Sequence, residues 1–457
     1  MRAHLIVLLA YSLLLLGVRM GVTSTARHGV QPPGFATAGY AAGVTGGEGY
    51  PTLPVTTLTD SPSDGVCGAH CSFRDFRAAC IAAGGCKLAL ASLSGNVTLA
   101  SPLTFDTPNV TLDFSAGAAN QGIQFLGFPV ELAASNMVVS NLRVRSVNGG
   151  TGDCISILGP ADGIYLSHAS ASACADGAID LGDGAGALQN VTIEYAILAE
   201  TDKAMLVSSG VTRCTIRRNL FVHVTTRSPA FGATSVIGGI TAQDCGFDES
   251  VVHNFVSATE IRSNTPLVDI RVNVRRNLYS RGSNTTDTHE KLPVRAKALA
   301  CSDAQCTGVG VPCLLCCAGA GNSTCDDDGG RAYVYSDGNV LRNTASGALW
   351  SAQFATLTGR DYEDANTTEE TNTPNSIPTA TCSTPPCVQR VATPFDRPSP
   401  PTASPSEILS DVLARAGATS PCRDSADAGF VADATAGTGP ALPAPFSTPP
   451  TLTGPCP

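Results

Sequence analysis

The chain has 457 residues, of which 43% are apolar and only 14% are charged, with a formal net charge of −10 at pH 7. Soluble domains usually contain about 25% charged residues, so this composition is unlike that of a helix-rich cytosolic enzyme. A nucleic-acid-binding function is excluded as a leading hypothesis, because there is no basic surplus to neutralise phosphates.

Residues 1–26 have the three parts of a secretory signal peptide. Arg2 is basic, residues 5–18 are apolar, and the small residues Ser24-Thr25-Ala26 provide a cleavage site. A signal anchor is the alternative interpretation. No second apolar run of about 18 residues follows, so we expect a secreted, extracellular protein that has no membrane association after signal removal.

The cysteine content and the glycosylation sequons agree with a secretory route. There are 18 cysteines, and disulfides are favoured in that compartment over a zinc site at Cys313–Cys325, although their connectivity cannot be deduced from sequence. The cysteines cluster early (67–86) and late (301–325). Six N-x-S/T sequons begin at Asn96, Asn109, Asn190, Asn284, Asn322 and Asn366.

Short β-branched segments recur between about residues 97 and 279 without an intervening helical pattern. Four of them begin 27 residues apart and two related segments follow, the six starting at Asn109, Asn136, Gly163, Asn190, Arg213 and Arg271. Strand-dominated repeats of about 20–30 residues are typical of a solenoid. We therefore predict an all-β fold, a right-handed parallel β-helix with a loop-rich, Cys-rich C-terminal extension.

Asn219, Asn254 and Asn277 occupy the same place in three later segments (RRN, VHN, RRN). This pattern predicts a structural ladder of stacked asparagine side chains rather than a catalytic group.

The pattern along the chain predicts four regions. Residues 1–26 form the signal peptide, 27–280 the β-helix domain, 281–365 a Cys-rich insertion with the last β-helix turns, and 366–457 a Pro/Thr-rich extension. Two helices are predicted, one over residues 72–83 and one in the extension with Ser406 at its N-cap.

Five charged residues have the spacing of successive coils. Asp153, Asp176, Lys203 and Arg227 are separated by 23, 27 and 24 residues, and Asp180 precedes Lys203 by 23. A solenoid stacks equivalent positions on one face, so we expect these side chains to converge. The carboxylates suit Ca²⁺, and the adjacent cations indicate an anionic ligand such as a polyuronate.

Other chemistry is less well supported. Asp183 is an outer metal ligand or, more simply, a turn residue after Gly182. His168 and His223 lack a nucleophile partner, so a structural role competes with a functional one.

No G-x-S-x-G or H-E-x-x-H motif is present. GDCISI is similar to part of a pectin-hydrolysing glycosidase signature, but that family's Asp-Asp and Gly-His-Gly segments are absent.

Taken together, the motifs resemble those of the pectate lyase family, the first polysaccharide lyase family, in its microbial branch with a long C-terminal extension. The resemblance extends from about residue 35 to about residue 435. Its segments follow the family's order: SFRDFRAAC, GDCISI, GIYLSHASAS, DGAID, AILAETDKAML, RRNLFVHVTTRSPAF, RRNLY and VLARAGATSPCRDSADAGFVAD.

The resemblance implies a secreted, monomeric enzyme that cleaves pectate or a related polyuronate by Ca²⁺-assisted β-elimination. It implies that Arg227 is the catalytic base and that Lys203 is a catalytic, substrate-binding residue. Asp153, Asp176 and Asp180 match positions of the calcium site. By the same resemblance, His168 matches a substrate-binding position.

Three positions depart from the family's pattern. The family has Asp before the histidine, a basic residue three positions after the base and, in some members, Arg five after it, whereas this chain has Ser167, Ala230 and Gly232. The departures favour the main alternative, a catalytically inactive β-helix that binds cell-wall polysaccharide. A different polyuronate chemistry, alginate lysis or epimerisation, is the third hypothesis.

Overall fold

The computed structural model describes residues 39–61, 67–68, 70–90, 93–115, 121–145, 152–182, 184–263, 267–280, 294–298, 331–342, 355–356, 362–364, 387–391, 393–396, 398, 401–440 and 452. The predicted signal peptide and the late cysteine cluster lie outside the described residues.

The chain forms a parallel β-solenoid, which confirms the predicted all-β class. One side, face A, is an eleven-stranded parallel sheet, with strands numbered in chain order. Its strands are β1 Thr52–Pro54, β2 Cys86–Ala89, β5 Val110–Asp113, β8 Met137–Ser140, β11 Ala161–Ser167, β14 Leu188–Glu194, β16 Val211–Arg217, β19 Ala242–Asp248, β22 Asp269–Arg275, β25 Arg331–Asp337 and β29 Cys387–Arg390.

The remaining strands form two further faces, which the long strand β15 (Ile197–Val207) joins into one 18-stranded sheet. Face B contains β3 Gly95–Thr98, β6 Ile123–Leu126, β9 Arg143–Arg145, β12 Ser170–Ser172, the first half of β15, β17 Leu220–Thr226, β20 Val251–Phe255, β23 Leu278–Ser280, β26 Val340–Arg342 and the antiparallel β27 Ala355–Thr356. Face C contains β4 Leu103–Phe105, β7 Val130–Leu132, β10 Ile155–Ile157, β13 Gly177–Leu181, the second half of β15, β18 Ala230–Ala233, β21 Thr259–Ser263, β24 Val294–Ala298 and β28 Tyr362–Asp364.

The predicted repeat is confirmed by the register of face A. The residue after each segment start pairs with its counterpart on the next coil, in the series Val110, Met137, Ile164, Val191 and Cys214. The first five starting residues have positive φ, from 54° at Asn136 to 78° at Gly163. Asn and Gly reach this left-handed region at little cost, which is why they mark the starts of the repeats.

Aliphatic side chains form the core inside the coils. Leu112, Val139, Leu166, Ile193 and Ile216 pair successively along face A and are all fully buried. Each contributes roughly 1.5–3 kcal/mol by leaving water, so every added coil both extends and stabilises the stack.

The predicted asparagine ladder exists, but one of its predicted members, Asn254, does not belong to it. Asn219 is followed on the next coils by Ser250, Asn277 and Asn339, and backbone N–H groups donate to their side-chain oxygens, for example from Ser250 to Asn277 Oδ1 at 2.9 Å. Asn254 lies elsewhere, beside His223 and Pro440. Asn219 and Ser250 are 31 residues apart, whereas Ser250 and Asn277 are 27 apart, so a match by local motif selected the wrong residue.

Helix α1 (Phe73–Ala83) confirms the first predicted helix and covers the start of the core. Ser72 and Asp75 form a capping box at its N-terminus, and Phe73 contacts Phe125 edge to face with ring centroids 5.0 Å apart.

The described part of the extension contains two helices, whereas one was predicted. α2 (Pro405–Arg415) begins two residues earlier than expected, because Ser404 rather than Ser406 forms the capping box with Glu407. The missed helix is α3 (Ser425–Ala436), whose small-residue sequence has no apolar stripe. Both helices pack against outward aliphatic residues of face B, and the contact includes Ile197, Leu220, Val251, Ile408, Val412 and Phe430.

A buried ion cluster attaches this extension to face B. Arg145 on β9 donates to Asp424 Oδ2 at 3.0 Å and to Asp427 Oδ1 at 2.9 Å, and all three side chains are at most 1% exposed. Neighbouring Arg143, also buried, donates to the carbonyl oxygen of Ala418 at 2.7 Å. Each arginine thus has acceptors that repay part of its lost hydration.

The early cysteines form disulfides, whereas Cys313–Cys325, for which zinc was the alternative, lies outside the described residues. The structure pairs Cys67–Cys71, Cys80–Cys86, Cys154–Cys174 and Cys214–Cys245. Within the described ranges, no helix has the length and apolar content needed to cross a membrane.

The two N-caps of the extension provide a matched test of the ion cluster. Asp424 caps α3 and neutralises Arg145, whereas Ser404 caps the exposed start of α2. We expect Asp424→Ala to lower the free energy of unfolding by about 3–5 kcal/mol, because it leaves the buried Arg145 and Arg143 with one carboxylate, Asp427, in place of two. Ser404→Ala should cost only about 1 kcal/mol.

Urea denaturation measures both values, and limited proteolysis should cut residues 401–440 faster in the Asp424 variant. Equal losses in the two variants would show that Asp424 acts as a helix cap alone.

Candidate active site

The predicted charged residues meet on face C, where each coil enters its face C strand. Gly177 at the start of β13 pairs with Lys203 on β15, and Lys203 pairs with Thr226 on the following coil. Arg227 directly follows Thr226. In-register pairing therefore places the Asp176–Gly177, Lys203 and Thr226–Arg227 positions on three successive coils.

Two carboxylates are directed toward Gly177. Asp153 Oδ1 accepts a hydrogen bond from the Gly177 N–H at 2.8 Å, and Asp180 Oδ1 accepts one from the Leu206 N–H at 2.9 Å. A Cβ added to Gly177 would lie 2.4 Å from Asp153 Oδ1 and 2.7 Å from Asp180 Oδ1. The absence of a side chain at residue 177 is what allows the two oxygens to approach each other.

The third carboxylate, Asp176, is paired with Lys203. Lys203 Nζ forms an ion pair with Asp176 Oδ1, and both side chains are partly exposed. Thr201 Oγ1 donates to the Asp176 carbonyl oxygen at 3.0 Å, which fixes the backbone of the turn below Lys203. Because a partly exposed ion pair is only weakly stabilising, an incoming anion can compete for the ammonium group at modest cost.

Arg227 has a fixed backbone and an uncommitted side chain. Its φ is 61°, and its carbonyl oxygen accepts the Met205 N–H at 2.9 Å. The following residue, Ser228, is fully buried and donates its N–H to the Ala258 carbonyl oxygen at 2.7 Å. Among the residues that the structure describes, none forms a hydrogen bond or ion pair with the half-buried Arg227 guanidinium. Such a group is available for an anionic ligand.

The departures at Ala230 and Gly232 lie on the same face, whereas Ser167 does not. Ala230 pairs with Leu206 and Glu260, and Gly232 pairs with Arg262. Ser167 ends β11 on face A, between Ser140 and Glu194 of the adjacent coils. The side chain at residue 167 therefore lies on a different face from the Asp153 and Asp180 pair.

His168 is the one predicted site residue that the structure places at another corner. It follows β11, has φ 52°, and stacks on Tyr195 of the next coil with ring centroids 5.1 Å apart. Burial, followed by the nearby positive charges of Arg415 and Arg423, lowers the pKa of His168 to about 4. Both arginines belong to the extension, so His168 lies beneath it rather than beside Lys203 and Arg227. His223 likewise contacts the extension, with Nε2 3.0 Å from Asp433 Oδ2.

The sequence interpretation missed the parts that hold the site in place. The buried Cys154–Cys174 disulfide joins the residue after Asp153 to the turn that contains Asp176. Gly177 provides the space between the carboxylates. A cysteine next to each predicted acidic segment was the available signal, but cysteine spacing alone does not identify the bonded pair.

The donor set is compatible with Ca²⁺ but incomplete. Carboxylate oxygens are the ligands that this hard cation prefers, and those of Asp153 and Asp180 flank the same point. Among the described residues, however, no group of three or more His, Cys, Asp and Glu side chains is arranged to hold a metal ion. Asp183 lies outside the described residues. A calcium ion here would need further oxygen ligands from a bound substrate or from water.

Comparison with known proteins adds matches to solved structures only. No family model matches the chain, and no curated protein matches it. The structure of the major allergen from cedar pollen is 15% identical, covers 83% of this chain and 92% of its own, and has a TM-score of 0.47.

Two further matches are to pectate lyases. Pectate lyase II from Xanthomonas campestris is 14% identical over 85% of this chain and 100% of its own, with a TM-score of 0.45. A pectate lyase from Bacillus sp. N165, solved in complex with trigalacturonate, is 15% identical over 83% of this chain and 98% of its own, with a TM-score of 0.41. Similarity at this level carries no argument about activity or substrate.

Gly177→Ala tests the convergence of the two carboxylates. Neither Gly177 nor Gly429 of α3 has a positive φ, but only at Gly177 does an added Cβ meet carboxylate oxygens. We expect Gly177→Ala to lower the free energy of unfolding by about 1–3 kcal/mol through overpacking. Gly429→Ala should be neutral or stabilising by up to about 1 kcal/mol. Urea titration compares them, and two equal midpoints would contradict the close approach.

The pKa of His168 predicts a pH-dependent stability. In the folded protein the pKa is about 4, below the ordinary value of about 6.5 that applies to the unfolded chain. Between these values the unfolded state binds the extra proton, so the free energy of unfolding should fall as pH decreases from about 6.5 to about 4.

The His168→Asn variant should show a weaker decline over that range, since Asn also tolerates the left-handed backbone that Asn141 adopts one coil earlier. The exposed His70 provides the control, because His70→Asn should keep the wild-type decline. Denaturant midpoints at several pH values measure the effect. The same dependence of midpoint on pH in the wild type, His168→Asn and His70→Asn would contradict the prediction.

Proposed function

We propose that this protein is a secreted polysaccharide lyase that cleaves pectate or a related polyuronate by β-elimination at face C. The observation that carries the proposal is the half-buried Arg227 guanidinium, which has no ion-pair partner among the described residues and lies one coil beyond the Lys203–Asp176 pair. The proposed reaction needs an anion-binding site beside a basic group, and this arrangement provides both.

Lys203 and Arg227 suit a substrate that carries one carboxylate on every sugar. Lys203 can exchange its partly exposed contact with Asp176 for a uronate carboxylate. Stacked strands are about 4.8 Å apart, so a polymer lying across the coils can place different carboxylates near successive rungs. A neutral polysaccharide would leave the Arg227 guanidinium without a partner and would offer Lys203 no anion in exchange for Asp176.

In the proposed reaction Arg227 removes the proton from the carbon next to the uronate carboxylate. The electrons of that C–H bond form a double bond between C-4 and C-5, and the bond from C-4 to the glycosidic oxygen breaks. The departing oxygen then takes a proton. An arginine accepts a proton in its neutral form only, and this is the form that the proposed role requires of Arg227.

Asp153 and Asp180 would hold the calcium ion, together with oxygens of the substrate. When bound, calcium would neutralise the uronate carboxylate and thereby acidify the neighbouring C–H. Asp176 has a separate part in the proposal, because its carboxylate orients the Lys203 ammonium group before substrate arrives.

A catalytically inactive, polysaccharide-binding β-helix is the second candidate. It is favoured by the small side chains of Ala230 and Gly232 and by the absence of a three-residue metal group within the described ranges.

A direct assay distinguishes the two candidates. Purified protein is incubated with polygalacturonate and Ca²⁺, and the ultraviolet absorbance of the unsaturated product is followed with and without chelator. Binding without any rise in absorbance would favour the inactive protein.

Arg227→Lys tests the base. The substitution keeps the charge but changes the basic group and its geometry, so we expect kcat to fall by about 10²–10⁴-fold while thermal stability and polymer binding persist. Arg213→Lys is the matched control, because Arg213 is also a left-handed arginine (φ 54°) but lies on face A. Unchanged turnover in Arg227→Lys would place the base elsewhere.

A further inference from the structure

Arg262 extends the row of cations on face C by one coil. It pairs in register with Gly232 on β18, and its neighbour Ile261 pairs with Phe231. Ile261 and Phe231 are fully buried inside the coil. Side chains alternate along a strand, so Arg262 and Gly232 face outward. The Arg262 side chain is 41% exposed.

Small side chains leave the face C surface next to Arg262 open. Gly232 has no side chain, and a Cβ added there would lie 3.3 Å from the Arg262 carbonyl oxygen and 3.8 Å from its Cβ. Ala230, two residues earlier on the same strand, contributes only a methyl group. The absence of larger side chains at these two positions leaves the Arg262 side chain uncovered on the side of β18, the strand that follows Arg227.

The guanidinium of Arg262 is held in place by a buried carboxylate. Its Nη2 forms an ion pair with Glu260 Oε2, and the Glu260 side chain is 2% exposed. Ser257 Oγ donates to the other oxygen, Glu260 Oε1, at 2.9 Å. An arginine has five N–H donors in a planar fork, so the pair with Glu260 leaves donors on the exposed side.

The same coil is joined to the residues that position Arg227. The Glu260 N–H donates to the Pro229 carbonyl oxygen at 2.9 Å, and Thr259 Oγ1 donates to the Ser228 carbonyl oxygen at 3.1 Å. Ser228 directly follows Arg227. The two arginines are therefore supported by one set of hydrogen bonds on adjacent coils.

We propose that Arg262 is a substrate-positioning residue that binds a free carboxylate of the polyuronate at a sugar other than the one that reacts. This rests on the proposed function of face C. It assigns to Arg262, from the next coil, the second basic contact that Ala230 and Gly232 cannot provide. It also gives the site a preference for polymer whose carboxylates are not methyl-esterified, because an ester carries no negative charge to pair with the guanidinium.

The test compares Arg262→Ala with Arg271→Ala, a control of nearly identical character. Arg271 is 39% exposed and pairs with Asp269 two residues earlier, as Arg262 pairs with Glu260, but it lies on face A. For demethylated polygalacturonate we expect Arg262→Ala to raise KM about 10-fold or more, the effect of losing one charge-assisted hydrogen bond, with kcat nearly unchanged. The penalty should shrink on highly esterified pectin, Arg262→Lys should restore part of the loss, and Arg271→Ala should behave as wild type.

Because Arg262→Ala leaves the buried Glu260 carboxylate without its partner, the double variant Glu260→Gln/Arg262→Ala separates misfolding from lost binding. The double variant should regain stability in urea but keep the raised KM. An unchanged KM, a loss confined to kcat, or an equal loss in Arg271→Ala would overturn the role of Arg262.

If the wild-type protein forms no unsaturated product, the proposed lyase activity is refuted. Calorimetric titration with polygalacturonate then tests separately whether Arg262 binds the polymer. Weaker binding by Arg262→Ala alone would then support the contact. Equal binding by all variants, or no binding by any, would overturn it.

Discussion

In-register stacking of one coil on the next is the constraint on which the rest of this molecule depends. Parallel pairing along face A brings Val110, Met137, Ile164 and Val191 into one column although they are far apart in sequence. Left-handed residues at the corners set the length of each strand. The buried aliphatic columns stabilise the fold only when successive coils are aligned in register. A shift of one residue would turn these side chains outward. The arrangement of charges on face C is a consequence of the same alignment.

The molecule uses ion pairs for two different purposes, and exposure separates them. The Arg145 cluster is at most 1% exposed, so neither ligand nor water can replace its carboxylates. The Lys203 and Asp176 side chains are 31% and 50% exposed, so their contact can be exchanged. A chain with few charged residues thus places some where they fix the fold and others where they can meet a ligand.

Sequence patterns predicted what depends on local backbone preference. The repeat could be found because Asn109, Asn136 and Asn190 occupy left-handed positions at constant spacing. α1 could be found because Ser72 and Asp75 form a recognisable capping box. The same regular spacing predicted that Asp176, Lys203 and Arg227 would lie on neighbouring coils. These inferences required only that the repeat length stay within the narrow range of 23 to 27 residues.

Contacts that depend on three-dimensional packing could not be predicted. The longer coil after Asn219 put Ser250, not Asn254, into the ladder, and it concealed the pairing of Gly232 with Arg262. α3 has no apolar stripe to reveal it. His168 itself matches a position of the resemblance, but α2 and the segment after it lie close to its corner, which no pattern in its own repeat records.

The attachment of the extension also has a consequence for biosynthesis. Arg145 and its acceptor Asp424 are 279 residues apart. At a synthesis rate of about 5–20 residues per second, the arginine emerges from the ribosome roughly 15–60 s before its partner. During this interval the early coils must form with Arg143 and Arg145 still hydrated on their outer surface. The aliphatic side chains of face B that later contact α2 and α3 are also exposed then. The nascent solenoid therefore has an apolar surface that chaperones or other unfinished chains can bind.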